Sequence, residues 1–320
     1  MSTGTIRSAL VAAAAARVSL AALRARPPGG AELWTRTNHR GEEVTLLEGP
    51  ALVIGGIAGA LAAGSEAGDQ LALVIASAGA AAFGGYDDLA GDGDSRGFRG
   101  HLGALRSGKL TTGIIKLAGI GATGVAAAVV ADRAAGSPPG RPRSVRLADH
   151  AINAGLVAGA ANLVNLFDLR PGRAIKVAGL AGCILAAAPG GAAVSAAPLA
   201  AAAALLPDDL AEHAMLGDAG ANALGAMLGV AAATRLPRWA RLTALAAITG
   251  LTAASEVVSF TQVIERTGPL RWLDMVGRRP AAKPGSAGRA SATGQRPAAD
   301  HGESGRRNAA TAPRHPAQAR

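Results

Sequence analysis

Long uncharged stretches alternate with short charged segments along most of this chain. The stretch from Leu71 to Tyr86, for example, contains no Asp, Glu, Lys or Arg. Many of these stretches are about 16 to 22 residues long, the length of α-helix that crosses the hydrocarbon layer of a bilayer. The pattern therefore predicts an all-α fold, a polytopic bundle of membrane helices.

About nine membrane-spanning helices are predicted by these stretches, within a range of about 8 to 11. Their approximate ranges are 8–24, 50–65, 69–86, 110–131, 148–167, 174–188, 191–206, 214–233 and 239–259. Gly55 with Gly59, and Gly225 with Gly229, have the spacing that lets two membrane helices approach closely. Residues 1–277 are predicted to form the membrane domain.

The composition supports this class and locates the positive charge. Charged residues make up 17% of the chain, below the roughly 25% of soluble domains. The net charge is +10, but residues 278–320 hold nine Lys and Arg against only Asp300 and Glu303. This tail is rich in Pro, Ala, Gly and Arg, so it is predicted to be disordered, with attraction to an anionic leaflet as the alternative. A nucleic-acid partner is not indicated.

The orientation of the chain in the membrane is predicted from the positive charges in its loops. An odd number of spans places the two termini on opposite sides, and Lys and Arg are more numerous in the loops on the side of the tail. The positive-inside rule then predicts a protein of the plasma membrane with a cytoplasmic tail. The lone cysteine, Cys183, permits neither an intrachain disulfide nor a cysteine metal cluster.

Two adjacent acids, Asp87 and Asp88, end the third predicted span, and a polar loop ending in Lys109 follows. Carboxylates at this level of a membrane can hold a divalent cation or accept a proton, and a nearby cation can hold a phosphate. Lys116 lies seven residues after Lys109 and shares its helix face. Snorkelling of Lys109 to the interface is the structural alternative.

Asn162, Asn165 and Asp168 recur every third residue, so they form one polar stripe at the end of the fifth predicted span. Two amides and a carboxylate on one face are suited to binding a sugar or a nucleotide. Hydrogen bonding between helices is the alternative.

Asp218 is bracketed by Gly217 and Gly220 at the start of the eighth predicted span. The glycines leave room for a ligand or a neighbouring backbone to approach the carboxylate. Helix capping is the alternative interpretation of this acid. In the predicted orientation these acids, the amides and Lys109 all lie near the cytoplasmic face.

Together these segments resemble a known family, the polyprenyl-phosphate N-acetylhexosamine-1-phosphate transferases of glycosyltransferase family 4, over roughly residues 34–277. GGYDDLAGD is similar to the Asp-Asp motif of the family, and GKLTTG, with Lys109, is similar to the basic element after it. ANLVNLFDLRPG resembles NAxNLxDGxDG, and LGDAGANALG resembles GDxGSxxLG. The chain is a divergent member by this comparison, because Leu169, Pro171 and Ala221 replace motif residues and the histidine cluster has no counterpart.

The resemblance implies a Mg²⁺-dependent enzyme that transfers a sugar-1-phosphate from a UDP-N-acetylhexosamine to a polyprenyl phosphate, releasing UMP, in cell-envelope glycan or peptidoglycan precursor synthesis. It implies catalytic roles for Asp87, Asp88 and Lys109. It implies that Asn162, Asn165 and Asp168 bind the substrate and that Asp218 and Asp88 bind the metal. A homodimer is compatible with it. Two alternatives stay open: an inactive family member that serves as a scaffold in envelope assembly, and a transporter.

Overall fold

In a computed structural model the chain is a bundle of helices, described for residues 2–90, 108, 111–136, 140 and 142–280. Nine of the helices in these described residues are long. They are α1 (Thr3–Ala25), α3 (Glu48–Ala62), α4 (Ala67–Ala90), α5 (Thr112–Ala135), α6 (Arg143–Phe167), α7 (Arg173–Ala186), α8 (Gly191–Leu210), α9 (Gly217–Arg235) and α10 (Arg238–Ser255). The short elements are α2 (Ala31–Trp34), β1 (Thr35–Thr37), β2 (Glu43–Thr45), α11 (Phe260–Arg266) and α12 (Gly268–Met275).

Each of the nine predicted spans overlaps one of the long helices, and the predicted all-α class is confirmed. Within the described residues, α1, α4, α5, α6 and α8 are long and apolar enough to cross a bilayer. A sixth candidate is the pair α10 and α11, which is bent by 95°. The apolar helices identify a membrane protein, while the full count of nine spans stays a prediction.

Helix α9 forms the centre of the bundle, with 16 of its 19 residues buried. Its Ala- and Gly-rich sequence explains this position, because small side chains let neighbouring backbones come close. A Cβ placed on Gly225 would lie 2.2 Å from the carbonyl oxygen of Ala160 in α6. One placed on Gly84 in α4 would lie 2.3 Å from the carbonyl oxygen of Asp218. The close packing predicted from the glycine spacing is therefore present.

Gly225→Ala is expected to destabilise the bundle by about 1–3 kcal/mol, because the added methyl group forces α6 and α9 apart. Gly121→Ala in α5 is the matched control, since no atom of a neighbouring described segment lies within 4 Å of a Cβ at that position. Thermal unfolding of both purified variants in detergent measures the difference. Equal melting temperatures for the two variants would contradict the close contact.

The segment between α1 and α3 is hydrogen-bonded to the residues just before α9. Strands β1 and β2 pair antiparallel, and Thr45 bridges to Ala214 just before α9. The amide of Met215 donates to the carbonyl of Thr45 at 3.0 Å. This hairpin therefore lies at the end of the bundle where α4 ends and α9 begins, called the site end below.

The helices and the hairpin belong to one compact unit, Met1–Arg279. This unit nearly coincides with the predicted membrane domain, residues 1–277. The predicted disordered tail lies, from residue 281 onward, outside the described residues.

Candidate active site

Two carboxylates from different helices meet one ammonium group at the site end. Lys116 Nζ in α5 lies 2.5 Å from Asp87 Oδ2 in α4 and 2.5 Å from Asp218 Oδ2 in α9. All three side chains are mostly buried, with exposed fractions of 18 to 25%. The consecutive helices α4 and α5 and the distant helix α9 thus form one charged cluster of two acids and one lysine.

Asp88 holds the start of α9. Its Oδ1 accepts a hydrogen bond from the amide of Asp218 at 3.0 Å, and its Oδ2 accepts one from the amide of Ala219 at 2.9 Å. The first amides of a helix have no partner inside the helix, and a carboxylate there also faces the positive end of the helix dipole. Asp88 therefore caps α9 and fixes Asp218 next to the end of α4. The capping considered for Asp218 is performed by Asp88.

The glycines on either side of Asp218 leave space into which neighbouring groups can come close. Gly217 has φ of +60°, and a Cβ there would lie 3.0 Å from Asp88 Oδ2. A Cβ on Gly220 would lie 2.7 Å from the Cα of Gly49 in α3. The room left by these glycines is thus used by the capping carboxylate and by a neighbouring backbone.

Arg36, in strand β1, extends this cluster toward the hairpin. Its guanidinium donates to the backbone carbonyl of Asp88 and, at 2.7 Å, to that of Thr35. A cation at the last carbonyls of α4 is favourable because a helix C-terminus carries partial negative charge. Arg36 therefore adds positive charge beside the paired acids.

The polar stripe at the end of α6 points toward the same end of the bundle. Asn162, Asn165 and Asp168 are all half-buried. Among the described residues neither amide side chain has a hydrogen-bond partner. Asp168 interacts electrostatically with Asp88 and Asp218, so the structure places the stripe near the acids of α4 and α9.

Asp168 also lines a cavity of about 200 Å³ beside the hairpin. Asn38, His39, Asp209 and Glu212 line it as well. Burial lowers the pKa of His39, although Glu212 opposes this shift. The cavity lies at the site end and combines hydrogen-bond donors with acids.

Burial, together with the neighbouring acids Asp209, Asp218 and Asp88, raises the pKa of Asp168 well above its usual range. The folded state therefore keeps the proton to higher pH than the unfolded chain does. This contribution to stability is fully present below the unfolded pKa of about 3.9 and is lost as the pH rises through the folded pKa.

Asp168→Asn is accordingly expected to reduce the loss of stability that follows as the pH rises above about 4, the ordinary pKa of Asp. Melting temperatures measured from pH 4 upward check the expectation. Glu43→Gln, at an exposed position of β2, is the control and should keep the slope of the wild type. An unchanged slope for Asp168→Asn would contradict the burial of this carboxyl group.

Two further buried acids lie near Asp168 and were not singled out from the sequence. Glu48 at the start of α3 is fully buried, and Asp209 in α8 is 2% exposed. Among the described residues, both carboxylate oxygens of Glu48 and one of Asp209 have no hydrogen-bond partner. Their burial arises from contacts between distant segments, which a local sequence pattern does not show.

The acids at the site end fit one way of holding Mg²⁺. In the described part of the chain, no group of three or more acid, histidine or cysteine side chains converges as a metal cage. Mg²⁺ is usually held by one or two carboxylates together with substrate phosphates and water. Asp87 and Asp218, which both contact Lys116 Nζ, could supply two such carboxylates, whereas both oxygens of Asp88 bind α9.

The sequence-predicted residues have different outcomes here. The structure brings Asp87, Asp88 and Asp218 together and places Asp168 near them. Lys109 lies outside the described residues. Lys116, noted in the sequence only for sharing a face with Lys109, is the cation that joins the acids.

A second charged cluster lies at the opposite end of the bundle, around a cavity of about 240 Å³. Arg235 pairs with Asp69, and His150 pairs with Asp132. Arg238 Nε lies 3.0 Å from Asp149 Oδ1. These contacts join five helices at this end of the bundle.

No protein-family model matches this chain, and no curated protein is similar to it. The resemblance to the transferase family therefore stays a prediction from the sequence motifs.

Proposed function

We propose that this protein transfers an N-acetylhexosamine-1-phosphate from a UDP-sugar to a polyprenyl phosphate and releases UMP. The observation that carries the proposal is the meeting of Asp87 and Asp218 at Lys116, with Asp88 on the start of α9. These acids come from two separated motifs that resemble the acidic motifs of one transferase family.

The lipid and nucleotide substrates both suit this end of the bundle. A polyprenyl phosphate carries its chain in the bilayer and its phosphate at the interface, where helix α4 ends. The UDP-sugar would enter from the aqueous side, into the cavity lined by Asn38, Asp168 and Asp209. Asn162 and Asn165, whose amides have no partner among the described residues, would donate hydrogen bonds to the sugar.

The charges have separate tasks in this proposal. Asp87 and Asp218 would hold Mg²⁺, which when bound neutralises charge on the diphosphate. Lys116 has three N–H donors and would hold phosphate oxygens that gain negative charge in the transition state. Asp88 binds the start of α9 and so holds Asp218 close to Asp87. Lys109, as predicted from the sequence, would add a second phosphate contact.

We place the site end at the cytoplasmic face of the plasma membrane. The reason is the excess of Lys and Arg in the loops on this side of the chain. UDP-sugars are soluble and would reach this face directly. Reporter fusions at residues 66 and 190 should be external, and a cytoplasmic signal from either would contradict the orientation.

Release of UMP from a panel of UDP-sugars tests the reaction class. Full-length protein in detergent is incubated with Mg²⁺ and polyprenyl phosphate, and UMP is followed with each donor. We expect release with an N-acetylhexosamine donor, and only when the lipid phosphate is present. No release with any donor from well-folded protein would reject the proposal.

One observation favours a second candidate, a scaffold without catalytic activity. The Lys116 ammonium group already satisfies both Asp87 and Asp218, so the cluster can be stable without metal or substrate. The binding of polyprenyl phosphate without turnover would support this candidate.

A further inference from the structure

The end of the described chain folds across the site end as two short helices. The pair α10 and α11 is bent by 95°, so α11 runs nearly perpendicular to α10. If α10 crosses the bilayer, α11 lies parallel to the membrane surface. The bend comes at Glu256–Ser259, where Ser259 caps α11 by accepting from the amide of Gln262.

One side of this segment is fixed to the bundle. The rings of Phe260 and Phe167 stack with centroids 5.1 Å apart. Arg173 Nε donates to Asp274 Oδ1 at 2.7 Å, and Arg173 Nη1 donates to Thr261 at 2.9 Å. Both members of the Arg173–Asp274 pair are buried. Because these contacts reach α11 and α12, the whole segment is held at the site end.

In the described part of the chain, the other side exposes several large apolar side chains, together with Gln262 and Glu265. Val263 in α11 is exposed, as are Leu270, Trp272 and Met275 in α12. Trp272 has 70% of its surface exposed, although a Trp side chain gains much by burial. Trp is enriched at membrane interfaces, where its ring lies among the headgroups. The exposed face is therefore of the kind that lies on a lipid surface.

Two cations accompany this apolar face. Arg266 ends α11 and Arg271 lies in α12, and both are exposed. Among the described residues neither has a carboxylate partner. A helix with an apolar face and basic flanks binds anionic membranes by burying its apolar side chains and attracting headgroup phosphates.

We propose that α11 and α12, residues Phe260–Met275, form an interfacial segment that binds anionic phospholipid headgroups on the membrane leaflet at the site end. Trp272 and Leu270 enter the headgroup region, and Arg266 and Arg271 contact lipid phosphates. Lipid binding here is separate from the proposed transferase reaction, because it needs neither Mg²⁺ nor a UDP-sugar. The Arg173–Asp274 pair connects this segment to the loop after Asp168.

Depth-dependent quenching of Trp272 fluorescence tests the proposal with the full chain in vesicles. Trp34→Phe/Trp239→Phe leaves Trp272 as the only tryptophan. Vesicles contain phosphatidylcholine with or without phosphatidylglycerol, and bromine is placed at shallow or deep acyl positions. Trp34→Phe/Trp272→Phe, which keeps Trp239 at the start of α10, is the matched control.

We expect shallow bromine to quench Trp272 more strongly than deep bromine, and phosphatidylglycerol to increase this quenching. Arg266→Gln/Arg271→Gln should abolish the effect of phosphatidylglycerol on Trp272, with about a fivefold weaker attachment for each arginine lost. The emission of Trp239 should not respond to these substitutions. Melting temperatures of the variants verify that the bundle is intact.

Three results would overturn the proposal. Trp272 that is quenched by aqueous iodide but not by brominated lipid would place the segment in water. Trp272 that is shielded from both quenchers would show that protein, such as a second copy of the chain, covers this face. Equal quenching by brominated lipid with and without phosphatidylglycerol would show that the segment does not recognise anionic headgroups.

Discussion

Asp218→Asn is expected to lower kcat/KM for UMP release by about 10²–10³-fold while the protein folds normally, because it removes a carboxylate that would hold the Mg²⁺ facing the diphosphate. The amide side chain is nearly the same size as the carboxylate, and Lys116 retains Asp87 as its partner. Asp88 still accepts from the backbone amide of residue 218. Loss of activity without loss of stability would therefore report on the charge itself.

Steady-state UMP release at several Mg²⁺ concentrations measures this effect. Asp132→Asn, at the opposite end of the bundle, is the matched control and should leave the rate unchanged. Expression and melting temperature are recorded for both variants. A rate near that of the wild type at ordinary Mg²⁺ would remove Asp218 from the proposed site.

Lys116→Met is expected to destabilise the folded protein by about 3 kcal/mol, because breaking a buried ion pair leaves a carboxylate without its partner. Here two carboxylates, Asp87 and Asp218, would face each other without a counter-charge. The same change should abolish activity, since the proposed phosphate donor is lost. Thermal unfolding and the UMP assay are the two measurements.

The second-site variant Lys116→Met/Asp87→Asn separates the two effects. Removing one of the two negative charges should restore most of the stability and none of the activity. Lys116→Arg, which keeps the charge, is the control for stability. A Lys116→Met protein that melts at the wild-type temperature would show that the three side chains are not in contact in solution.

The helices could be predicted because each depends on a local property, the absence of charge over a span length. The positions of Asp87, Asp88 and Asp218 at helix ends follow from the same pattern, since the charges mark where the uncharged stretches stop. The convergence of these ends could be expected once an orientation was assigned. The capping of α9 by Asp88 could not, because it depends on how two distant helices meet.

Other features of the site arise only in three dimensions. The sequence places Lys116 inside an apolar helix, but nothing local identifies Asp87 and Asp218 as its partners. Glu48 and Asp209 lie in segments with no shared motif, and their common burial results from packing. The bend between α10 and α11 likewise lies within the predicted span 239–259, where neither Gly nor Pro marks it in the sequence.

Mass-spectrometric identification of the lipid product tests the central claim most directly. Purified protein is incubated with polyprenyl phosphate, Mg²⁺ and a UDP-N-acetylhexosamine, with Asp218→Asn in parallel. The account predicts a polyprenyl diphosphate-linked sugar and an equal amount of UMP from the wild type, and neither from the variant. A folded wild-type protein that yields no such lipid with any UDP-sugar, or an equally active Asp218→Asn protein, would contradict it.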